Sequence, residues 1–213
     1  EFRRVLFRSK AAHWLQKAAE QGVVDAQARI GSLYERGLGV TQNFSEAARW
    51  YRRAADSNNA SAQFTLGGLY QRGQGVTQDH SEAAKWFIKS AQQGNIGAYY
   101  MLGLCHQNGQ GVKQNYLEAV KCFRKGSEQG HLDSKYALGQ LYFHGHGVPQ
   151  NYSEAINNFR EVAEKGHAAG QFQLGSAYFI PHEQMPVVPA EIHRSEEHTS
   201  ELQSRGLISY AVF

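Results

Sequence analysis

Two histidines form the residue pattern that comes nearest to a metal site. His144 and His146 flank one glycine in a loop, and imidazoles are common metal ligands. No third ligand is apparent in the sequence, and the equivalent loop of an earlier segment carries Arg36 in place of the first histidine. We therefore interpret this loop as a solvated turn, and we expect neither a metal ion nor a cofactor.

Glycine-rich loops of a kind that can hold phosphate recur along the chain. Four loops have the form Gly-x-Gly-Val, at 37–40, 73–76, 109–112 and 145–148. Phosphate-binding loops continue with Gly-Lys-Ser/Thr or open a helix directly, whereas these loops follow the end of a helical pattern. Because glycine tolerates the positive φ that stops a helix, we interpret the loops as helix ends.

Covalent catalysis has no complete motif in the chain. Gly-x-Ser-x-Gly and Ser-x-x-Lys do not occur, and His182-Glu183 begins a zinc-protease motif in which Pro186 replaces the second histidine. Cys105 and Cys122 occupy positions that elsewhere hold leucine and tryptophan. We interpret them as buried free thiols, although a disulfide between them stays open. The protein is therefore predicted not to be an enzyme.

A repeat of 36 residues must position any site in this chain. Four blocks align without a gap, at 25–60, 61–96, 97–132 and 133–168, with half repeats at 10–24 and 169–179. Each block holds two runs in which apolar residues fall at helical spacing. The second run opens with Asn or Asp and has Glu three residues later, as at Asn43 and Glu46, which resembles a capping box.

Each block is therefore predicted to be a pair of antiparallel helices. One pair cannot bury its apolar stripe alone, so stacked pairs share a continuous core. A glycine stands in the middle of every first helix, at 31, 67, 103, 139 and 175. Because glycine costs about 1 kcal/mol there relative to alanine, we expect a neighbouring helix to approach closely. The predicted fold is all-α, a right-handed α-solenoid of about ten helices with a concave face.

The elements LGxxY, GxGV, EA and W-Y/F-x-KAAEQG resemble Sel1-like repeats, the 36-residue branch of the tetratricopeptide superfamily. The resemblance covers residues 10–179, with departures at His106, Cys122 and Asn158, where other blocks have tyrosine or tryptophan. It implies a scaffold or adaptor that binds peptides or helical segments of other proteins. Cysteine-rich bacterial relatives carry a disulfide in every repeat at a shorter spacing. By analogy with them, a hydrolase of β-lactam or cell-wall type is one alternative, and a purely structural arm of a larger protein is another.

In this superfamily the first helices line the concave face, which indicates two rows of candidate binding residues. The first row is aromatic and is interrupted by Ala28: Phe64, Tyr100, Tyr136 and Phe172. The second row ends the first helices and offers hydrogen-bond donors: Arg36, Arg72, Asn108 and His144. Between the rows lie residues that vary from block to block: Gln71, Leu104, Gln107, Gln140 and Phe143.

Each row has two interpretations. The aromatic row can dock a peptide, because aromatic side chains give a large contact area at low entropy cost, or it can pack between first helices and set their curvature. The second row can hold the carboxylates of an acidic peptide, or its cations can be stabilised by the helix dipole alone. The variable residues fit a recognition surface and an unconstrained surface equally.

The charge balance argues against a nucleic-acid partner. The chain has 213 residues, with 22 basic and 19 acidic side chains and a net charge of +3, which does not predict a concentrated basic face. No apolar run reaches the roughly 18 residues of a membrane span, so we expect no membrane contact by the repeats. The compartment stays open among secreted or periplasmic, secretory-pathway and cytoplasmic locations.

Both ends of the chain look foreign to the repeat. One double-stranded DNA sequence, similar to a widely used sequencing adapter, encodes residues 1–9 on one strand and residues 194–202 on the other, and its continuation gives residues 208–213. We interpret 1–9 and 194–213 as non-native segments and 10–193 as an internal fragment of a longer protein, with the repeat solenoid at 10–179. Residues 180–193 contain three of the 4 prolines and are expected to form an irregular tail.

Overall fold

The computed structural model describes the backbone of residues 2–178 and the side chains of residues 7–178. Every helix or strand assigned in this part of the chain is an α-helix. In chain order these are α1 (Phe2–Glu20), α2 (Val24–Arg36), α3 (Phe44–Asp56), α4 (Ala60–Arg72), α5 (His80–Gln92), α6 (Ile96–Asn108), α7 (Tyr116–Glu128), α8 (Leu132–His144), α9 (Tyr152–Glu164) and α10 (Ala168–Ala177). The expected tail at 180–193 and the segment at 194–213 lie outside the described residues.

The helices stack in chain order. The even-numbered helices are the first helices of the repeats, α3, α5, α7 and α9 are the second helices, and α1 is the second helix of an incomplete repeat. Each helix packs extensively against the helices directly before and after it. Trp86 of α5 belongs to the buried cluster that Tyr51 of α3 and Leu66 of α4 form, so the core continues from one repeat into the next. The predicted all-α solenoid is confirmed.

The glycine in the middle of a first helix gives room to an aromatic ring of the second helix. A Cβ atom added at Gly67 would lie 2.7 Å from Cε1 of Phe87, and one added at Gly139 would lie 2.7 Å from Cε1 of Phe159. Both phenylalanines are fully buried, so a side chain at either glycine would have to displace a packed ring. The close approach that the sequence predicts is confirmed at these glycines, but not at Gly175, where no atom of the described residues lies within 4 Å of an added Cβ atom.

The second glycine of each loop contacts the preceding repeat. Gly147 has a φ of 74°, and a Cβ atom added there would lie 2.6 Å from the carbonyl oxygen of Tyr116. Tyr116 is the first residue of α7, which belongs to the repeat before the loop. Glycine therefore lets the loop lie directly against the start of that helix, so the loops also hold neighbouring repeats together.

The second helices begin at polar caps, as predicted. The side-chain oxygen of Asn115 accepts hydrogen bonds from the N–H groups of Leu117 and Glu118, at 3.1 and 3.2 Å. The reciprocal bond of a capping box is replaced by two others. The N–H of Asn115 donates to the carbonyl oxygen of His106 at 2.9 Å, and Glu118 accepts from Lys121 at 2.6 Å. The cap therefore ties α7 to the first helix of its own repeat.

Replacement of Asn115 by alanine is expected to lower the free energy of unfolding by about 1 kcal/mol, because two N–H groups of α7 lose their acceptor. Asn115→Asp is the matched control, since Asp79 caps α5 through the same pair of bonds. It should leave the stability nearly unchanged. Urea denaturation followed by circular dichroism measures both variants, and equal losses would contradict this role of the cap.

Candidate functional site

The aromatic row packs against the second helices. The distances between ring centres are 6.0, 5.9 and 5.7 Å for the pairs Phe64–Phe87, Tyr100–Phe123 and Tyr136–Phe159. The Phe64 ring also lies against the next first helix, because its Cζ atom is 3.0 Å from the place of a Cβ atom at Gly97. Phe172, in contrast, is 73% exposed. Three of the four rings are therefore half-buried between helices.

Each tyrosine of this row also contacts a histidine ring. The rings of Tyr100 and His131 lie 5.1 Å apart, and those of Tyr136 and His167 lie 5.2 Å apart. Each histidine also caps a first helix through Nδ1, which accepts a backbone N–H at 3.1 and 3.0 Å respectively. Burial, followed by the charge of Asp133, raises the pKa of the Tyr100 phenol above its usual value. The Tyr100 side chain is therefore neutral at physiological pH.

Each member of the second row is the last residue of a first helix, and all four are exposed: Arg36, Arg72, Asn108 and His144. The Nε atom of Arg72 donates to Gln74 at 2.6 Å. The His144 ring stacks on the His146 ring with 5.5 Å between centres. Cations at a helix C-terminus are stabilised by the helix dipole. Their exposure also leaves these side chains open to a partner.

The first helices carry two hollows that collect members of both rows. The α4 hollow has a volume of about 270 Å³, and three predicted residues line it, namely Phe64, Gln71 and Arg72. Its lining also includes residues that the sequence did not single out: Glu35, Thr65, Gly68, Phe87 and Met101. Arg72 and Glu35 give this hollow one charge of each sign.

The second hollow, the α6–α8 hollow, lies between the ends of those two helices and has a volume of about 440 Å³. Four predicted residues line it: Gln107, Asn108, Gln140 and His144. The rest of its lining was not expected: Gln114, Tyr116, Leu141 and His146. The rings of Tyr116 and His146 stack with 4.7 Å between centres, so one wall of this hollow comes from the preceding repeat.

The remaining predicted residues line neither hollow: Arg36, Tyr100, Leu104, Tyr136, Phe143 and Phe172. Leu104 packs against a buried cluster formed by α7 and α8, and the Phe143 ring lies 5.2 Å from the Tyr152 ring. The contact between a loop and the preceding repeat brings Tyr116 and His146 into the site. That contact joins residues 30 positions apart in two different repeats, so the sequence of a single repeat does not indicate it.

The two cysteines are buried free thiols, as predicted. Burial raises the pKa of the Cys105 thiol to about 11. Burial, followed by the charge of Glu118, raises the pKa of Cys122 to about 11 as well. Because the thiolate is the nucleophile, neither side chain is activated for covalent chemistry at neutral pH.

Both thiols are expected to react slowly with Ellman's reagent at pH 8. A pKa of about 11 leaves about two orders of magnitude less thiolate than the ordinary cysteine pKa near 8.5. The rate in urea-denatured protein is the reference. The raised pKa of the two thiols also makes the stability of the fold depend on pH. Below about pH 8.5 the thiols are protonated in both states, and as the pH rises toward 11 the unfolded state is favoured because its thiols ionise first. Equal rates for native and denatured protein would contradict burial of the thiols.

Metal-binding clusters and membrane-spanning helices are both absent from the described residues. The part of the chain between residues 7 and 178 contains no cluster of three or more His, Cys, Asp or Glu side chains arranged to bind a metal ion. Within the described helices, none has both the length and the apolar character that crossing a membrane requires.

The solenoid is similar to solved structures of bacterial proteins. A protective antigen of uropathogenic Escherichia coli that displays an SLR fold is 34% identical, with a TM-score of 0.76 over 79% of this chain. A Sel1 repeat protein from Oxalobacter formigenes is 33% identical, with a TM-score of 0.73 over 82% of this chain. The chain spans 36% of the length of the first protein and 74% of the second. No curated protein sequence matches the chain.

The family model of the Sel1 repeat matches most of the sequence. It matches five consecutive stretches, at residues 8–23, 24–59, 60–95, 96–131 and 132–167. The first stretch begins within α1, and each of the other four begins at the first residue of a first helix. Sel1 repeats mediate protein–protein interactions, and proteins built from them are generally scaffolds and typically not enzymes. From the repeat pattern, the stacked helix pairs and these matches, we conclude that the chain belongs to the Sel1 repeat family.

Proposed function

We propose that this protein binds an extended peptide or a helical segment of a partner protein across its first helices, without a catalytic step. One observation carries the proposal. The α4 hollow and the α6–α8 hollow are both lined by first helices, and they collect three and four of the predicted binding residues. A partner that crosses the first helices meets both hollows.

The chemistry of the hollows favours an acidic segment with apolar side chains. In the α4 hollow, the Arg72 guanidinium can hold a carboxylate through paired hydrogen bonds, while Phe64 and Met101 offer apolar contact. Glu35, the carboxylate of the same lining, already accepts a hydrogen bond from the Tyr51 hydroxyl at 2.8 Å. In the α6–α8 hollow, amide and imidazole groups can bond the partner's backbone. The stacked, capped helices hold these groups in place before binding, which limits the entropy cost of association.

Selection from a phage-displayed random peptide library tests the proposal. We expect the folded protein to enrich peptides that carry Asp or Glu beside an aromatic or aliphatic residue. Arg72→Ala should weaken the selected peptides about tenfold, because a charge-assisted hydrogen bond is lost. Isothermal titration calorimetry with synthetic copies of the peptides gives the affinities.

Arg49→Ala is the matched control for this experiment. Arg49 is an exposed arginine on the second helix α3, where it pairs with Glu46 at 3.4 Å. Its loss should leave peptide affinity unchanged. The proposal is contradicted if no peptide is enriched, or if selected peptides bind the double variant Arg72→Ala/His144→Ala as tightly as the unchanged protein.

A further inference from the structure

Each of the chain's three tryptophans lies beneath a cation that follows it by three residues. The charged group lies 5.0, 4.7 and 4.3 Å from the ring centre in the pairs Trp14–Lys17, Trp50–Arg53 and Trp86–Lys89. A cation over the face of an indole is attracted by the ring quadrupole. The pairs stand at equivalent positions on α1, α3 and α5, so the repeat builds this arrangement three times.

The third full repeat keeps the cation and lacks the ring. Cys122 and Lys125 occupy on α7 the positions of the tryptophan and its cation. The Lys125 ammonium lies 5.4 Å from the ring centre of Tyr99. In the fourth repeat both members are replaced, by Asn158 and Glu161. The described part of the chain therefore holds one position in which only the ring of the pair is missing.

A hollow of about 500 Å³ opens where the missing ring would lie. This Cys122 hollow has apolar walls from three successive helices: Ile88, Ala91, Tyr99, Leu102 and Cys122. It lies away from the α4 hollow and the α6–α8 hollow and shares no lining residue with either.

The walls of the Cys122 hollow correspond to the surroundings of Trp86 one repeat earlier. Arg52, the counterpart of Ile88, lies 6.0 Å from the Trp86 ring centre. Ala55, the counterpart of Ala91, is in the same buried cluster as Trp86. The hollow therefore lies at the position of a tryptophan ring, with an apolar wall at Ile88 where the earlier site has Arg52.

The exposure of Leu102 on α6 shows that neighbouring side chains have not filled the space of the missing ring. Ile30 and Leu66 are each 0% exposed in the two full repeats that have the tryptophan. Their counterpart Leu102 is 8% exposed beside Cys122. Replacement of a large ring by a small thiol in a close-packed array leaves such a space unless the helices move together.

The rim of the Cys122 hollow has an excess of positive charge. The rim has three cationic side chains, Lys121, Arg124 and Lys125, and two carboxylates, Glu118 and Glu128. Glu118 already accepts a bond from Lys121 at 2.6 Å. The remaining charges on the rim are those of Arg124, Lys125 and one carboxylate, Glu128, which leaves an excess of positive charge. The rim therefore favours a partner segment that carries acidic residues.

We propose that the Cys122 hollow binds the tryptophan side chain of an acidic partner segment, which supplies the ring that this repeat lacks. The indole fills the space above Leu102, with Lys125 over its face. The Cys122 hollow is separate from the surface of the proposed function, so an experiment can contradict one of the two proposals without contradicting the other.

A blocked Asp-Trp-Asp peptide that contains 5-fluorotryptophan is the probe, observed by fluorine NMR. With the folded protein, we expect its signal to shift and broaden, and to be restored by unlabelled Asp-Trp-Asp but not by Asp-Ala-Asp. Cys122→Trp should abolish the shift, because its own ring fills the hollow. The matched control, Asn158→Trp, places the same ring in the next repeat and should leave the shift unchanged.

Lys125→Ala keeps the test decisive if Cys122→Trp fails to fold. Lys125 is exposed, and loss of its charge should weaken the probe about threefold. The proposal is overturned if the probe's signal does not change with the unaltered protein, if Asp-Ala-Asp competes equally, or if Cys122→Trp and Lys125→Ala both bind as tightly as the unaltered protein.

Discussion

Replacement of Gly75 by alanine is expected to lower the free energy of unfolding by about 2–5 kcal/mol, a large loss for the addition of one methyl group. Gly75 has a φ of 72°, where a Cβ atom alone costs about 1–2 kcal/mol. The added atom would also meet the carbonyl group of Phe44 in the preceding repeat. Because this obstacle is backbone, no side-chain rotation relieves it, and the loop must separate from α3.

Gly94→Ala is the control that isolates the contact between repeats. Gly94 has a similar φ of 83°, and no atom lies within 4 Å of a Cβ atom added there. This variant should lose only about 1–2 kcal/mol, from the backbone conformation alone. Urea denaturation of both variants, followed by circular dichroism, gives the difference. Equal losses at the two glycines would show that the contact between Gly75 and α3 does not stabilise the fold.

Truncation of Phe87 to alanine is expected to cost about 3–5 kcal/mol. The ring is 0% exposed, and it packs against Phe64 and into the space that Gly67 leaves on α4. Its removal opens a cavity between two helices that the neighbouring repeats hold apart. Phe172→Ala is the matched control, because that ring is 73% exposed and its loss should change stability by no more than about 0.5 kcal/mol.

Gly67→Ala tests the same packing from the other helix. In the unaltered protein the added Cβ atom meets the Phe87 ring at 2.7 Å and should be destabilising. In the Phe87→Ala background the ring is gone, although the added atom still lies 3.2 Å from the carbonyl oxygen of Ala83. The substitution should then destabilise much less, because about 1 kcal/mol of helix propensity offsets the remaining contact. A double-mutant cycle by urea denaturation measures this difference. Additive effects would contradict direct contact between the two residues.

Helix limits could be predicted from the sequence because local bonds decide them. Asn115 caps α7 through N–H groups two and three residues away, and Gly109 ends α6 in the left-handed conformation with a φ of 69°. Asn58 follows α3 with a φ of 64°, where the other repeats have glycine, because asparagine adopts this conformation more readily than most residues with a side chain. Stacking followed from these limits, since equal helix pairs at a fixed period can share apolar faces only with their neighbours.

The hollows could not be predicted, because they depend on distances between repeats. The sequence shows that Cys122 is smaller than tryptophan, but only the positions of Ile88 and Leu102 show that the space stays open. Likewise, Gly75 and Gly147 predict a turn in the sequence, but they do not indicate that the starts of α3 and α7 lie against these turns. Three-dimensional neighbours from the preceding repeat, such as Tyr116 beside His146, complete the α6–α8 hollow.

Extensive packing between consecutive helices has a consequence for how this chain acquires its structure. Contacts of short sequence separation demand little loop closure, so the chain should fold quickly for its length. Any interior helix pair can act as the nucleus, and structure then spreads toward both ends through neighbour-to-neighbour interfaces. Under mechanical pulling, the array should therefore lengthen in successive steps of one repeat, with the outermost pairs yielding first.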